Sequence, residues 1–215
     1  LNHAYTGYLR GRFAEMGSHT VFHRKVYTLM GAMYMHIGDN NIFERGIQLT
    51  ARKTGKDAPL IRIGDNCLIE NISGFINNYV IGNDCIISNV CTMETTDGAT
   101  YGEGNLISVL NEVGEGNLIL NNGLTNKVAA LMVKHFHNRA LKDAIRRLIR
   151  EEIERTSPEM ATIGNRVKIV NTKEITNTVI YDDCEISGAS RLSDCTIMSN
   201  SNASVYIGTG VICEN

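Results

Sequence analysis

No charge of one sign dominates this chain. Its 21 basic and 23 acidic residues leave a formal charge of -2 over 215 residues. So near a balance gives no broad electrostatic footprint for nucleic acid or an anionic membrane. Long apolar runs are missing as well; the most apolar tract, residues 26–35, is far too short to cross a bilayer. The chain has no GxSxG nucleophile turn, no Walker loop and no HExxH helix, which removes the commonest hydrolase, nucleotide-phosphatase and zinc-protease signatures. None of the six cysteines has the CxxC spacing of a zinc or redox site. With no secretory signal visible, a reducing cytoplasm and free thiols are expected.

What the chain does have is a period. Across residues 63–93, Ile63, Ile69, Phe75, Ile81, Ile87 and Met93 recur every six positions, and Ile63-Gly64 returns as Ile81-Gly82 after three hexads. An amphipathic helix repeats every three to four residues and a half-buried strand every two, so neither fits. A short strand, a turn and a strand again does, and the pattern predicts an all-β solenoid. Four places after the apolar residue the position is small, as Cys67, Ser73, Cys85 and Cys91, with Tyr79 the exception. These side chains, with Cys184, Cys195 and Cys213, are expected as small core thiols or hydroxyls facing inward. Asn71 and Asn89 also lie one coil apart, which predicts a ladder of stacked amides.

The same phase places Ile37, Phe43 and Leu49 before an interruption at 52–60, read as an external loop from its Gly55, Pro59 and basic residues. After a stumble at 95–100 the hexads restart at Tyr101, Ile107, Val113 and Ile119, with GEGN written twice. Its glycines are read as solenoid corners rather than a phosphate cradle. Residues 124–156 switch to helical spacing, and Thr125 and Asn138 are placed to cap two helices, so a helical hairpin is expected as an insertion within the solenoid. Hexads then resume at Ile163, Ile169 and Ile175 and, one residue out of step, at Ile180, Ile186 and Leu192. Residues 1–36 are expected as an irregular lead-in or cap, and 37–215 as the β-helix. The leading Leu1 and the final Ile207-Gly208 hexad point to a fragment of a longer protein.

These hexads resemble the hexapeptide-repeat superfamily, whose coils form a left-handed parallel β-helix. The stretch from about Ile61 onward is similar to a group of larger, uncharacterised bacterial hexapeptide-repeat proteins. Residues 37–66 also resemble the corresponding coils of the UDP-N-acetylglucosamine acyltransferases. The resemblance implies a homo-oligomer, a trimer, that transfers an acyl group from acyl-CoA or acyl carrier protein to a sugar or nucleotide-linked sugar, with a histidine as general base. Imidazole suits that task because it titrates near neutrality. At the position the resemblance gives to that histidine stands Asn77, whose amide is no base. His135, on the helical insertion, is the first candidate base and His36, just before Ile37-Gly38, the second. Asn77, Asp97 and Glu112 are candidates to line the substrate pocket, and no metal set is expected. Against the transferase stands a non-catalytic reading, as a β-helix scaffold, oligomerisation or regulatory module of a longer sugar-nucleotide enzyme.

Overall fold

The computed structural model describes residues 2–23, 26–51, 61–107, 117–135 and 137–214. It falls into two compact units, Leu1–Ala99 with Glu159–Glu214, and Thr100–Pro158.

The first unit is a parallel β-helix. After helix α1 (Asn2–Arg10), three short strands make each coil: β1 (Glu15–Met16), β2 (Val21–Phe22) and β3 (Thr28–Met30), then β4 (Met35–Ile37), β5 (Ile42–Phe43) and β6 (Gln48–Thr50). The third coil is β7 (Ile61–Ile63), β8 (Leu68–Glu70) and β9 (Phe75–Asn77), and the fourth β10 (Tyr79–Ile81), β11 (Ile86–Ser88) and β12 (Thr92–Glu94). Strands β13 (Leu106–Ile107) and β14 (Leu118–Ile119) belong to the second unit. The stack continues with β15 (Ala161–Ile163), β16 (Lys168–Val170), β17 (Glu174–Ile180), β18 (Glu185–Ser187), β19 (Arg191–Ile197), β20 (Tyr206–Ile207) and β21 (Ile212–Glu214). Strands β17 and β19 are long because each runs from one coil around a corner into the next. Every pairing among these coils is parallel. Ile63 stacks on Ile81, three hexads on, and Ile163 on Ile180, one position short of that, so coil length varies slightly along the stack.

The described strands between residues 15 and 30, a stretch expected as an irregular lead-in or cap, stack as a coil: Glu15 pairs with His36, Val21 with Ile42 and Thr28 with Gln48. Helix α1 packs on it, burying Thr6 and Leu9.

Corners decide where such a chain turns. At one, His19, Asn40, Asn66, Asp84, Arg166 and Asp183 all have φ between 55° and 59°; at another, Asn71, Asn89 and Asn171 do the same at 52–54°. Asparagine and aspartate tolerate this left-handed conformation better than other residues with a Cβ. The predicted amide ladder is present: Asn71 Nδ2 donates to Asn89 Oδ1, and Asn89 Nδ2 to Asn171 Oδ1 at 3.0 Å. A second ladder follows the Ile-Gly corner, where the backbone N–H of Asp39 reaches Asp65 Oδ1 (2.7 Å), Asp65 reaches Asn83 (2.8 Å), Asn83 reaches Asn165 (2.9 Å) and Asn165 reaches Asp182 (2.8 Å). The glycine before each of Asp39, Asp65, Asn83 and Asn165 is required by closeness. A Cβ on Gly82 would lie 2.7 Å from the Gly164 backbone.

Inside, Ile37, Ile63, Ile81, Ile163 and Ile180 stack as one buried column, and Phe22, Phe43, Ile69, Ile87, Ile169 and Ile186 as another. Phe22 and Phe43 are stacked with centroids 4.3 Å apart. At the Ile-Gly corner the inward residue closes the interior by donating to the next coil's glycine carbonyl: Thr20 Oγ1 to Gly38, Asn41 Nδ2 to Gly64, Cys67 Sγ to Gly82 and Cys85 Sγ to Gly164. Cys67, Cys85 and Cys184 are therefore the buried thiols expected, whereas Cys195 and Cys213 are half-buried and Cys91 is exposed. The correction at Cys91 and Ser73 has a geometric cause. At their corner the inward position is one residue earlier, at Ile72, Val90 and Ala189. Likewise the core residue of β9 is Ile76, not Phe75, because the spacing from Ile69 is one longer than a hexad.

Tyr79 is fully buried. Its ring fits because its register neighbour is Ala161, and its hydroxyl reaches past that small residue to donate to the Thr178 carbonyl at 2.8 Å while accepting from the Thr178 N–H at 3.3 Å. The coil resumes across the insertion, where the Ala161 N–H donates to Thr95 Oγ1 and the Thr96 N–H to Asn177 Oδ1.

In the second unit the hexads at 101–119 do not make a coil. β13 and β14 pair antiparallel, Leu106 against Ile119 and Ile107 against Leu118. Six-residue spacing of apolar residues serves a two-stranded ribbon as well as a coil; Val113 lies outside the described residues. The helices are α2 (Asn126–Lys134), capped by Thr125, and α3 (Arg139–Thr156), capped by Asn138, as the sequence predicts. No described helix is long and apolar enough to cross a membrane.

Three measurements follow. Gly82→Ala should destabilise the β-helix by about 1 to 3 kcal/mol, since backbone must shift, read as a lowered urea midpoint at unchanged m. Tyr79→Phe should cost about 1 to 3 kcal/mol by leaving the Thr178 groups unpaired in the core. Burial pushes the Cys184 thiol from the usual 9.0 up to about 11, so the folded state holds a proton that the unfolded state releases. Stability from this group is complete below about pH 9 and is lost as pH rises to about 11; Cys184→Ala should flatten that alkaline limb in pH-resolved chemical denaturation.

Candidate functional site

On the first sheet, the residue just before each buried Ile or Met points outward. Register therefore lines up Glu15 of β1, His36 of β4, Arg62 of β7 and Val80 of β10 in one row across four coils. Side chains so stacked stand about 4.7 to 4.9 Å apart along the row. His36 Nδ1 lies 3.1 Å from Glu15 Oε2, and the imidazole is 40% exposed. The row and the neighbouring corner, with Gly17, Gly38, Gly64 and Gly82 and the side chains of Asp39, Asp65 and Asn83, form an open groove. The glycines line it with backbone, their Cβ positions being taken up by the next coil, and the polar corner supplies acceptors along its edge.

This arrangement has the parts of general-base chemistry. A carboxylate on Nδ1 holds the ring in the tautomer with its proton on that nitrogen, leaving Nε2 to accept a proton in the groove. Arg62 adds a fixed positive charge beside it, suited to a carboxylate, phosphate or developing oxyanion.

His135 is placed differently. It lies in the connection between α2 and α3 and caps α2 through its backbone N–H. Its ring sits half-buried against Leu131, Met132, Leu141 and Ile145. Among the described residues no carboxylate orients it. Asn77 is buried on the outer face of β9, between Thr50 and Glu94 in register, and its Oδ1 has no partner among the described residues. Asp97 is exposed in the turn after β12, and Glu112 lies outside the described residues. Within the β-helix the structure thus unites His36 with Glu15 and Arg62, which the sequence reading does not single out, and gathers neither Asn77 nor Asp97 around it. A signal for Glu15 exists: Glu15-Met16-Gly17 repeats the frame of His36-Ile37-Gly38, Arg62-Ile63-Gly64 and Val80-Ile81-Gly82.

A second histidine–carboxylate pair, His23 Nδ1 to Glu44 Oε1 at 2.6 Å, lies at the end of β2 and β5, away from the groove. His19 is a corner residue. No cluster of three His, Cys, Asp or Glu able to hold a metal occurs among the described residues.

The fold defines the protein as a parallel β-helix that carries an inserted unit between two of its coils. Residues 16–215 match the family described as a domain of unknown function, DUF4954, and the chain belongs to that family. It is also similar to an uncharacterized protein of Treponema pallidum (strain Nichols), 24% identical over 164 residues, covering 71% of this chain and 22% of that protein. The chain thus spans about a fifth of that relative's length. No solved structure matches it.

The Glu15–His36 pair is exposed, and exposed pairs contribute less than about 1 kcal/mol. Glu15→Gln should therefore leave the thermal midpoint within a few degrees of the parent, so that any functional loss reports on the imidazole.

Proposed function

We propose that this β-helix is an acyltransferase of the hexapeptide-repeat type, acting on a hydroxyl or amine of a sugar, with His36 as general base. The observation that carries the reading is the Glu15–His36 pair opening into the glycine-lined groove with Arg62 beside it. In this reading Nε2 of His36 takes the proton from the acceptor O–H or N–H as that atom attacks the carbonyl carbon of an acyl thioester. The C–S bond then breaks, and the departing thiolate takes the proton back from the imidazolium. Arg62 offsets charge on the oxyanion or holds an anionic group of a substrate. The resemblance to hexapeptide-repeat transferases supports acyl-CoA or acyl carrier protein as donor and a trimer as the assembly.

A non-catalytic scaffold is the second reading, favoured by the neutral Asn77 at the coil position where the resemblance puts a base. Acetyl transfer from acetyl-CoA to a panel of amino and neutral sugars, free and UDP-linked, decides between them. His36→Ala should lower kcat/KM at least about 100-fold, within the usual weight of a general base, and Glu15→Gln should lower it less. His135→Ala should change nothing. Absence of turnover, together with no thermal stabilisation by acyl-CoA or UDP-sugars, would sink the transferase and leave the scaffold.

A further inference from the structure

Helix α3 carries Arg139, Lys142, Arg146 and Arg150 at spacings of three, four and four. Such spacing keeps all four on one side of the helix, in a row about 16 Å long at about 1.5 Å per residue. Their neighbours on the same helix behave as surface arginines usually do: Arg147 lies 3.9 Å from Glu151, and Arg155 makes a two-pronged pair with Glu152. None of the four in the row has an ion pair among the described residues. Arg146 goes further, since its Nε is buried with no acceptor among the described residues. The rest of the Arg146 side chain is only half-buried, which leaves the outer end of its guanidinium for a ligand.

The row is also placed against the helix's own field. The positive end of the macrodipole lies at its N-terminus, where acidic residues are favoured. The first turn of α3 holds no acidic residue and instead begins the cationic row with Arg139 and Lys142. Asp143, one turn in, is the first acidic residue of the helix, and among the described residues no carboxylate pairs with Arg139 or Lys142, a broken local rule of the kind that accompanies functional surfaces.

We propose that this row is a binding site for a ligand bearing two or more linked phosphates. Charge selects an anion. The length selects several phosphate groups over one, because a single phosphate meets at most two neighbouring side chains of the row. No aromatic residue lies on α3 or α2 on which a base would stack, so the phosphates themselves are the recognised chemistry. Helix dipole and guanidinium forks both favour phosphate oxygens. The inference is independent of the groove at His36.

Titration of the 215-residue chain with inorganic tripolyphosphate by calorimetry, at two salt concentrations, tests it. Saturable binding that weakens with salt is expected, with Arg146→Gln reducing affinity about tenfold and Lys142→Gln/Arg150→Gln reducing it further, while circular dichroism stays unchanged. Arg166→Gln, in the β-helix, should bind as the parent does. No saturable binding, or equal binding by Arg146→Gln, overturns the proposal. Tighter, row-dependent binding of a single-stranded oligonucleotide or of phosphatidylserine vesicles also overturns it, in favour of a nucleic acid or a membrane surface.

Discussion

A coil of short parallel strands leaves its backbone donors and acceptors pointing along the stack, where only the next coil can satisfy them. Everything else in the β-helix depends on this. Coils must turn at the same places, and the same places must hold residues that accept positive φ, so one corner repeats His, Asn, Asn, Asp, Arg, Asp and another Asn, Asn, Asn. The side chains at the corners then take up the backbone groups that the turn leaves over, as the Asp39–Asp65–Asn83–Asn165–Asp182 ladder does. Glycine precedes every rung but the last, where Tyr181 stands before Asp182, because two coils meet there closer than a Cβ allows.

This dependence explains what can be read from the sequence and what cannot. Aliphatic hexads and Ile-Gly corners give away the coils from Ile37 onward, and the slip after Ile175 is visible because a coil one position short of three hexads still keeps its columns aligned. The first coil is obscured because only Met16-Gly17 repeats the corner, Phe22 stands where the coils from the third onward have Ile, and Leu29 is only half-buried. The ribbon at 101–119 reads as a coil because apolar spacing carries no information about strand direction. Direction is set by partners. None is written into a hexad.

The candidate groove is legible only in part for the same reason. His36 can be named from its place before Ile37-Gly38, but its partner Glu15 lies one coil back and Arg62 one coil on, at unequal distances along the chain. Unequal coil lengths hide such rows from any fixed period. His135 draws attention through its apolar neighbours, and those same neighbours are what make it a packing residue at the end of α2. The row on α3, by contrast, is written openly in the sequence. What the sequence conceals there is that the four cations are unmatched among the described residues while Arg147 and Arg155 are not.

Tyr79 has a consequence in time as well as in space. Its hydroxyl bonds Thr178, far along the chain, and between them the chain leaves to build an entire second unit. Closing so long a loop costs entropy before any contact across it is made. Coils up to β12 each have a partner coil before them in the chain and can assemble early, whereas β15 onward must wait for the inserted segment to bring Ala161 back to Thr95. The tyrosine then serves as the latch of that late step: a polar group in the core that finds its partner only when the coil beyond the insertion has docked in register.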